Sequence, residues 1–141
     1  MTGVQTCALP NLGNGTFVFP SGVFGNSYYI VVKHRNSLET WSATPVTFNA
    51  AIISYSFTDD SAKAFGNKLK NVGNGNYALY SGDVDQNGAI NSEDFLAIKS
   101  ATRFFPSGYL TNDVNGDYLV ESSDYSIVEN NSIQSISLSK P

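Results

Sequence analysis

The chain of 141 residues is long enough for one medium-sized domain or two small ones. It is acidic, with a formal net charge of −4 and a pI near 4.7, and it has no basic patch, which argues against nucleic acid as a partner. Because no apolar run approaches the ~18 residues that a membrane-spanning helix needs, we expect no membrane span.

The first ten residues, MTGVQTCALP, look like the translation of a sequencing-adapter read rather than natural coding sequence. We therefore predict that residues 1–10 are an artefact and that the native chain starts near Asn11. This segment contains Cys7, which is the one cysteine of the sequence, so no intrachain disulfide is possible.

Residues 11–80 have the pattern of a small β-rich module with short turns. The central part of 27–33 is apolar on both faces, which is typical of a central strand in a packed sheet. The pattern predicts a small antiparallel β-sandwich of prealbumin or immunoglobulin type, with a short helical turn at 60–65. The predicted strands are 16–19, 27–33, 45–48, 52–57 and 75–79.

His34, Arg35, Glu39 and Trp41 cluster at one end of the strongest predicted strand. In one interpretation Trp41 is a platform for stacking a sugar, with Arg35 and Glu39 as polar partners. In the other, Trp41 covers the end of the sandwich while Arg35 and Glu39 form a surface ion pair. No motif places a nucleophile or an acid beside His34, the single histidine, and we predict that the chain is not an enzyme.

Two stretches thirty residues apart, 83–94 and 113–124, carry oxygen-bearing side chains at loop positions 1, 3, 5, 9 and 12. With the backbone carbonyl of position 7, this spacing supplies the oxygen ligands that calcium takes from one continuous turn. Eight of the twelve acidic residues lie within 83–124, so without metal these carboxylates repel and folding should depend on calcium. The predicted ligands are Asp83, Asp85, Asn87, Ala89, Asn91 and Asp94 in the first loop and Asp113, Asn115, Asp117, Leu119, Glu121 and Asp124 in the second.

Loop positions 6 and 8 predict how the two loops differ and how they pack. The turn at position 6 requires a positive φ, which suits Gly88 but not Tyr118, so we predict that the second loop binds calcium more weakly or adopts a distorted turn. Position 8 is apolar in both copies, Ile90 and Val120, and we expect these side chains to point away from the ion. They also predict a short strand pairing between the two loops.

Each loop is followed by a helical pattern. The first predicted helix is capped by Ser92 and runs to about residue 104, and the second repeats this pattern over 122–131. The segment before the first loop is too rich in glycine and asparagine to be helical, so each repeat is a loop plus an exiting helix. A classical EF-hand has an entering helix as well, and it has Glu at position 12, where this sequence has Asp94 and Asp124.

The segment Gly82-Asp-Val-Asp-Gln-Asn-Gly-Ala-Ile-Asn-Ser-Glu-Asp94 closely resembles the duplicated motif of the dockerin family. The second copy keeps Asp113-Val-Asn115, Asp117, Val120 and Asp124, and the resemblance covers about 81–133. It implies calcium-dependent folding and docking onto a cohesin-like protein or a cell-surface scaffold. In the family, loop positions 10 and 11 contact the partner, and the first pair here, Ser92-Glu93, departs from the common hydroxyl-bearing pair.

Residues 28–42 resemble a β-module that precedes dockerin-like repeats in secreted proteins of Bacteroidetes. Together the two resemblances imply an α+β chain, with a β-sandwich module at 11–80 and a dockerin-like module at 81–141. They imply an extracellular tether at the C-terminus of a larger secreted or surface protein, and we expect the chain to be monomeric. The alternative is a calcium-stabilised spacer or cap of an adhesin, or of a polysaccharide-degrading enzyme whose catalytic domain lies upstream.

Overall fold

The computed structural model describes residues 15–141, and within them it has short antiparallel strands and two α-helices, an α+β organisation. The α+β prediction is therefore confirmed. The predicted artefact at 1–10 lies outside the described residues and stays a prediction.

The strands pair two at a time, so the predicted β-sandwich is not confirmed. The predicted strand 27–33 divides at Ile30, whose amide donates to the Ser42 hydroxyl (3.0 Å) in place of a continuous ladder. Either side of this break has a different partner strand. The pairs are β1 (Ser27–Tyr28) with β4 (Val46–Thr47), β2 (Val31–His34) with β3 (Ser37–Trp41), β5 (Lys70–Gly73) with β6 (Asn76–Ala78), and β7 (Ala89–Ile90) with β8 (Ile136–Ser137).

The strand predictions were the least accurate. Residues 16–19 and 52–57 do not form strands, whereas β3 and β5 were not predicted. The predicted turn at 60–65 is confirmed as a 3-10 turn, Ser61–Lys63, and the Asp60 side chain caps it by accepting the Ala62 amide (2.9 Å).

Both predicted helices are present. Helix α1 spans Ser92–Ala101 and continues into a 3-10 turn at Thr102–Phe104, and α2 spans Ser122–Ser132. Each begins with a capping box in which the carboxylate of the third helical residue accepts the amide of the cap residue. None of the helices within 15–141 combines the length and the apolar character needed to cross a membrane.

One buried apolar cluster joins the helices, the loops and the β2–β3 hairpin. Each helix contributes one fully buried aliphatic side chain, which is too little to close a core, so strands and loops supply the rest. Phe95 and Tyr125 pack against this cluster from the two helices. Its members are Leu38, Val84, Ile90, Ile98, Val128 and Ile136.

The β2–β3 hairpin is hydrogen-bonded to the segment that leads into the first loop. The Leu38 amide donates to the Tyr80 carbonyl (2.8 Å), and the Gly82 amide donates to the Asn36 carbonyl (2.7 Å). The division into modules at 11–80 and 81–141 stays a prediction, but the hairpin packs with the C-terminal part.

Candidate metal centre

The first loop starts from a glycine that no other residue could replace without strain. Gly82 has φ +121°, and a Cβ there would lie 3.0 Å from Val128 Cγ2 and 3.2 Å from Ile90 Cγ2. This close approach of the backbone to the core places the next side chain, Asp83, in a nearly fully buried position at 2% exposure.

The carboxylates of Asp83, Asp85 and Asp94 come together, with one oxygen from each lying within 4.8 Å of the others. Asp94 is fully buried and accepts the amides of Val84 (2.8 Å, Oδ1) and Asn91 (3.0 Å, Oδ2), so one side chain fixes both ends of the loop. Three acids at this separation repel one another unless a cation lies between them.

Asp83 has one oxygen with a partner and one without. Its Oδ2 accepts the Gly88 amide at 3.2 Å, whereas its Oδ1 is buried and has no hydrogen-bond partner. A buried carboxylate oxygen without a partner is strongly unfavourable. A hard divalent cation among these oxygens satisfies it, so the residues fit a calcium ion.

The electrostatics of Asp83 agree with this interpretation. Burial, and next the nearby charge of Asp94, raise the pKa of the Asp83 carboxyl from 3.8 to about 6. A bound cation favours the ionised form and offsets both effects.

The side chains at positions 3, 5 and 9 of the first loop hold its turns. Asp85 Oδ1 accepts the Asn87 amide (3.0 Å), and Asn87 Oδ1 accepts the Ala89 amide (2.9 Å). Asn91 is the N-cap of α1, since its Oδ1 accepts the Glu93 amide (2.6 Å). The structure thus brings the carboxylates of Asp83, Asp85 and Asp94 together, whereas Asn87 and Asn91 accept amides of the loop and of the helix start. The role of these residues and of Ala89 as ligands stays a prediction.

The second loop repeats this scaffold. Asp124 is fully buried, and it accepts the amides of Val114 (2.8 Å), Asn115 (3.0 Å) and Glu121 (3.0 Å) as Asp94 does in the first loop. Asp117 Oδ1 accepts the Leu119 amide at 2.9 Å, which matches the turn at Asn87. Equivalent residues thus make equivalent contacts in both copies.

The loops differ at their first ligand position. Asp113 Oδ1 accepts the amides of Gly116 (2.7 Å) and Asp117 (3.2 Å), and its Oδ2 accepts the Tyr118 amide (3.2 Å) and an Arg35 N–H (3.3 Å). No oxygen of Asp113 is left without a partner. Position 3 is also neutral here, Asn115 instead of an acid.

The predicted distorted turn at Tyr118 is wrong, whereas the weaker calcium binding predicted for the second loop stays a prediction. Tyr118 adopts the left-handed φ of +70° that the turn requires, close to the +87° of Gly88. Position 4 is left-handed as well, at Gln86 (φ +58°) and Gly116 (φ +82°). Each loop therefore has one glycine and one non-glycine in this region, in exchanged positions. The sequence pattern missed the strain at Gln86 because it treated position 6 alone as left-handed.

Position 8 is confirmed as a core position, since Ile90 and Val120 are both fully buried. The predicted pairing between the two loops is wrong. Ile90 lies in β7, which pairs with β8 near the C-terminus, and the Val120 amide donates to the Pro106 carbonyl (2.9 Å). The first loop therefore pairs with the segment after α2, and the second loop pairs with the segment between the two repeats.

The predicted surface pair of Arg35 with Glu39 is also wrong. Glu39 accepts from the Trp41 indole N–H (2.6 Å) and pairs with Lys33. Arg35 instead reaches across the molecule to Asp113, a contact that no motif in the sequence indicated. The proposed sugar platform at Trp41 stays untested, and the Trp41 ring packs edge-on against Tyr29 with centroids 5.9 Å apart.

Residues 81–131 match the family model described as Dockerin type I domain. This part of the chain is a dockerin-like module. Dockerin domains bind calcium and are non-catalytic modules for protein–protein interaction. Searches of curated proteins and of solved structures found no match to the chain.

Proposed function

We propose that the dockerin-like module binds two calcium ions, one in each loop, and tethers a larger secreted or cell-surface protein to a cohesin-like partner. The observation that carries the metal assignment is the buried, unpartnered Oδ1 of Asp83 beside the carboxylates of Asp85 and Asp94. The family match supports the tethering role.

The proposed ligands are the residues at positions 1, 3, 5, 7, 9 and 12 of each loop. Two of them have structural roles as well. Asp94 and Asp124 are each the third residue of a helix and accept the amide of its N-cap residue, so metal binding and helix formation are coupled through one side chain. These ligands are Asp83, Asp85, Asn87, Ala89, Asn91 and Asp94, and Asp113, Asn115, Asp117, Leu119, Glu121 and Asp124.

A second candidate function is a calcium-stabilised spacer or cap, without a docking partner. The attachment of the β2–β3 hairpin favours it, because Leu38 is fully buried in the same cluster as Ile90 and Ile98. A module fixed to the preceding segment in this way transmits orientation along the chain, which a rigid spacer needs.

Isothermal titration of the chain with calcium tests the metal assignment, and a pull-down with cohesin-like domains tests the tethering. Tethering predicts capture that is lost when a chelator is added. Calcium binding without capture of any cohesin-like domain favours the spacer. No heat of binding at millimolar calcium contradicts both.

A further inference from the structure

The turn between β2 and β3 is bound to the entry of the second loop. Arg35 Nε donates to the Leu110 carbonyl (2.9 Å), and its Nη2 donates to the backbone carbonyl (2.9 Å) and to Oδ2 (3.3 Å) of Asp113. Asn36, which is buried, donates to the same Asp113 carbonyl at 2.6 Å. Two consecutive residues of one hairpin thus hold the first ligand position of a loop nearly eighty residues further along the chain.

The Arg35 guanidinium is held in place from several sides. It lies over the Tyr109 ring, with Cζ 3.9 Å from the ring centroid, and its side chain is only 16% exposed. Charge-assisted hydrogen bonds in a partly buried position are stronger than those of a solvated surface pair. Arg35 is therefore a fixed positive charge at the second loop, and the first loop has no equivalent contact at Asp83 Oδ1.

We propose that Arg35 acts as a built-in cation for the second loop: it keeps that loop folded without metal and lowers its affinity for calcium. This inference rests on the proposed calcium function. The oxygen of Asp113 that corresponds to the unpartnered Oδ1 of Asp83 is its Oδ1, because Oδ2 accepts the position-6 amide in both loops. A calcium ion there would lie on the same carboxylate as the guanidinium on Oδ2, and two positive charges this close repel each other. The first loop lacks such a side-chain cation, so only a calcium ion would provide a partner for the buried Oδ1 of Asp83.

The contacts around Arg35 also predict the effect of removing its positive charge. In an Arg35→Gln variant, the Asp113 carbonyl keeps its bond from Asn36, and Asp113 Oδ1 keeps the Gly116 amide. The loop therefore retains most of its internal bonds while it loses the competing charge. Calcium should bind the second loop more tightly in this variant, by about tenfold or more for a unit charge a few ångströms from a divalent ion.

The experiment is a calcium titration of the full chain, monitored by the NMR chemical shifts of the Gly88 and Gly116 amides. These two amides report the first and the second loop separately. In the wild type, Gly88 should shift at a lower calcium concentration than Gly116. Arg35→Gln should bring the Gly116 midpoint down by about tenfold and leave the Gly88 midpoint within about twofold. Arg103→Gln, which removes an exposed arginine in the turn after α1, is the matched control and should change neither midpoint.

A measurement on the unmodified chain covers the case in which Arg35→Gln does not fold. The Arg35 Nε–H resonance should move together with the Gly116 transition and not with the Gly88 transition. A Gly116 midpoint that is unchanged or raised in Arg35→Gln, or an Arg35 resonance that follows Gly88, overturns the role of Arg35. If neither amide responds to calcium in the wild type, the proposed calcium function itself fails, and this inference fails with it.

Discussion

Phe95 and Tyr125, which are equivalent residues of the two repeats, pack against each other with ring centroids 4.8 Å apart. The next equivalent pair, Ile98 and Val128, is fully buried in one cluster. The two repeats therefore share a single core through matching faces of α1 and α2. The closing aspartate of each loop, Asp94 or Asp124, is the third residue of its helix, so each loop is joined to this shared core through its helix.

The hairpin residue Leu38 should contribute to the stability of the dockerin-like module although it lies outside the matched segment. Leu38→Ala leaves a cavity in the shared core, and we expect the free energy of unfolding to fall by about 2–4 kcal/mol. Urea denaturation followed through the helical signal measures this. The control is Ile52→Ala, which truncates a side chain that is 85% exposed and should change the free energy by less than about 0.5 kcal/mol. An equal effect of the two substitutions would contradict the shared core.

Asp83→Asn should have opposite effects with and without calcium. The substitution removes the charge of a proposed ligand, so the first loop should lose roughly a hundredfold or more in calcium affinity. In chelator the same change should raise the melting temperature, because a neutral amide relieves the repulsion with Asp94. Differential scanning calorimetry in both conditions tests this. Asp59→Asn, at an exposed site, serves as the charge-matched control. A lower melting temperature of Asp83→Asn in chelator contradicts the interpretation.

The left-handed residue Tyr118 should limit the stability of the second loop. Tyr118→Gly removes the Cβ from a position with φ +70°, and we expect a net gain of about 0.5–1 kcal/mol in the free energy of unfolding. Gln86→Gly should gain less, because the Gln86 side chain donates to the Asp83 carbonyl (2.6 Å) and this bond is lost. Chemical denaturation in calcium compares the two variants. A loss of stability in Tyr118→Gly would contradict this prediction, because it would mean that the Tyr118 ring stabilises the loop by more than the left-handed backbone destabilises it.

Calcium binding to the first loop should weaken as the pH falls through about 6, the raised pKa of the Asp83 carboxyl in the metal-free protein. Below that pH a proton must leave before calcium binds. The sign for the metal-free fold is the reverse. The folded state holds the proton at a higher pH than the unfolded chain, so the contribution of Asp83 to stability is greatest below pH 3.8 and is lost as the pH rises through about 6. Calcium titrations at several pH values check the effect on binding. Urea denaturation of the metal-free protein at several pH values checks the effect on stability, and Asp83→Asn should remove this second dependence.

The helices and the two loops were predictable because their signals are local. The capping residues, the period of the apolar positions and the oxygen spacing all lie within a dozen residues of one another. The two helix starts are thus predicted to within one residue, since the serines expected as caps, Ser92 and Ser122, directly follow the N-cap residues Asn91 and Glu121. Because the sequence contains two copies of the repeat, each loop position could be compared between them.

Several of the errors concern contacts between segments distant in the chain. The amide of Ile30 bonds to a serine hydroxyl and divides a strand that periodicity predicted to be continuous. Arg35 bonds to Asp113 rather than to Glu39, because the fold brings a hairpin turn to the second loop and composition carries no information about that approach. Ile90 was correctly predicted as buried, but its strand partner comes from the C-terminal segment.

The central claim is that a calcium ion lies among the carboxylates of Asp83, Asp85 and Asp94. The most direct test is an anomalous difference map from crystals of the chain grown in millimolar calcium chloride. The account predicts a peak in contact with the otherwise unpartnered Oδ1 of Asp83. A well-ordered first loop with no anomalous peak at that position would contradict it.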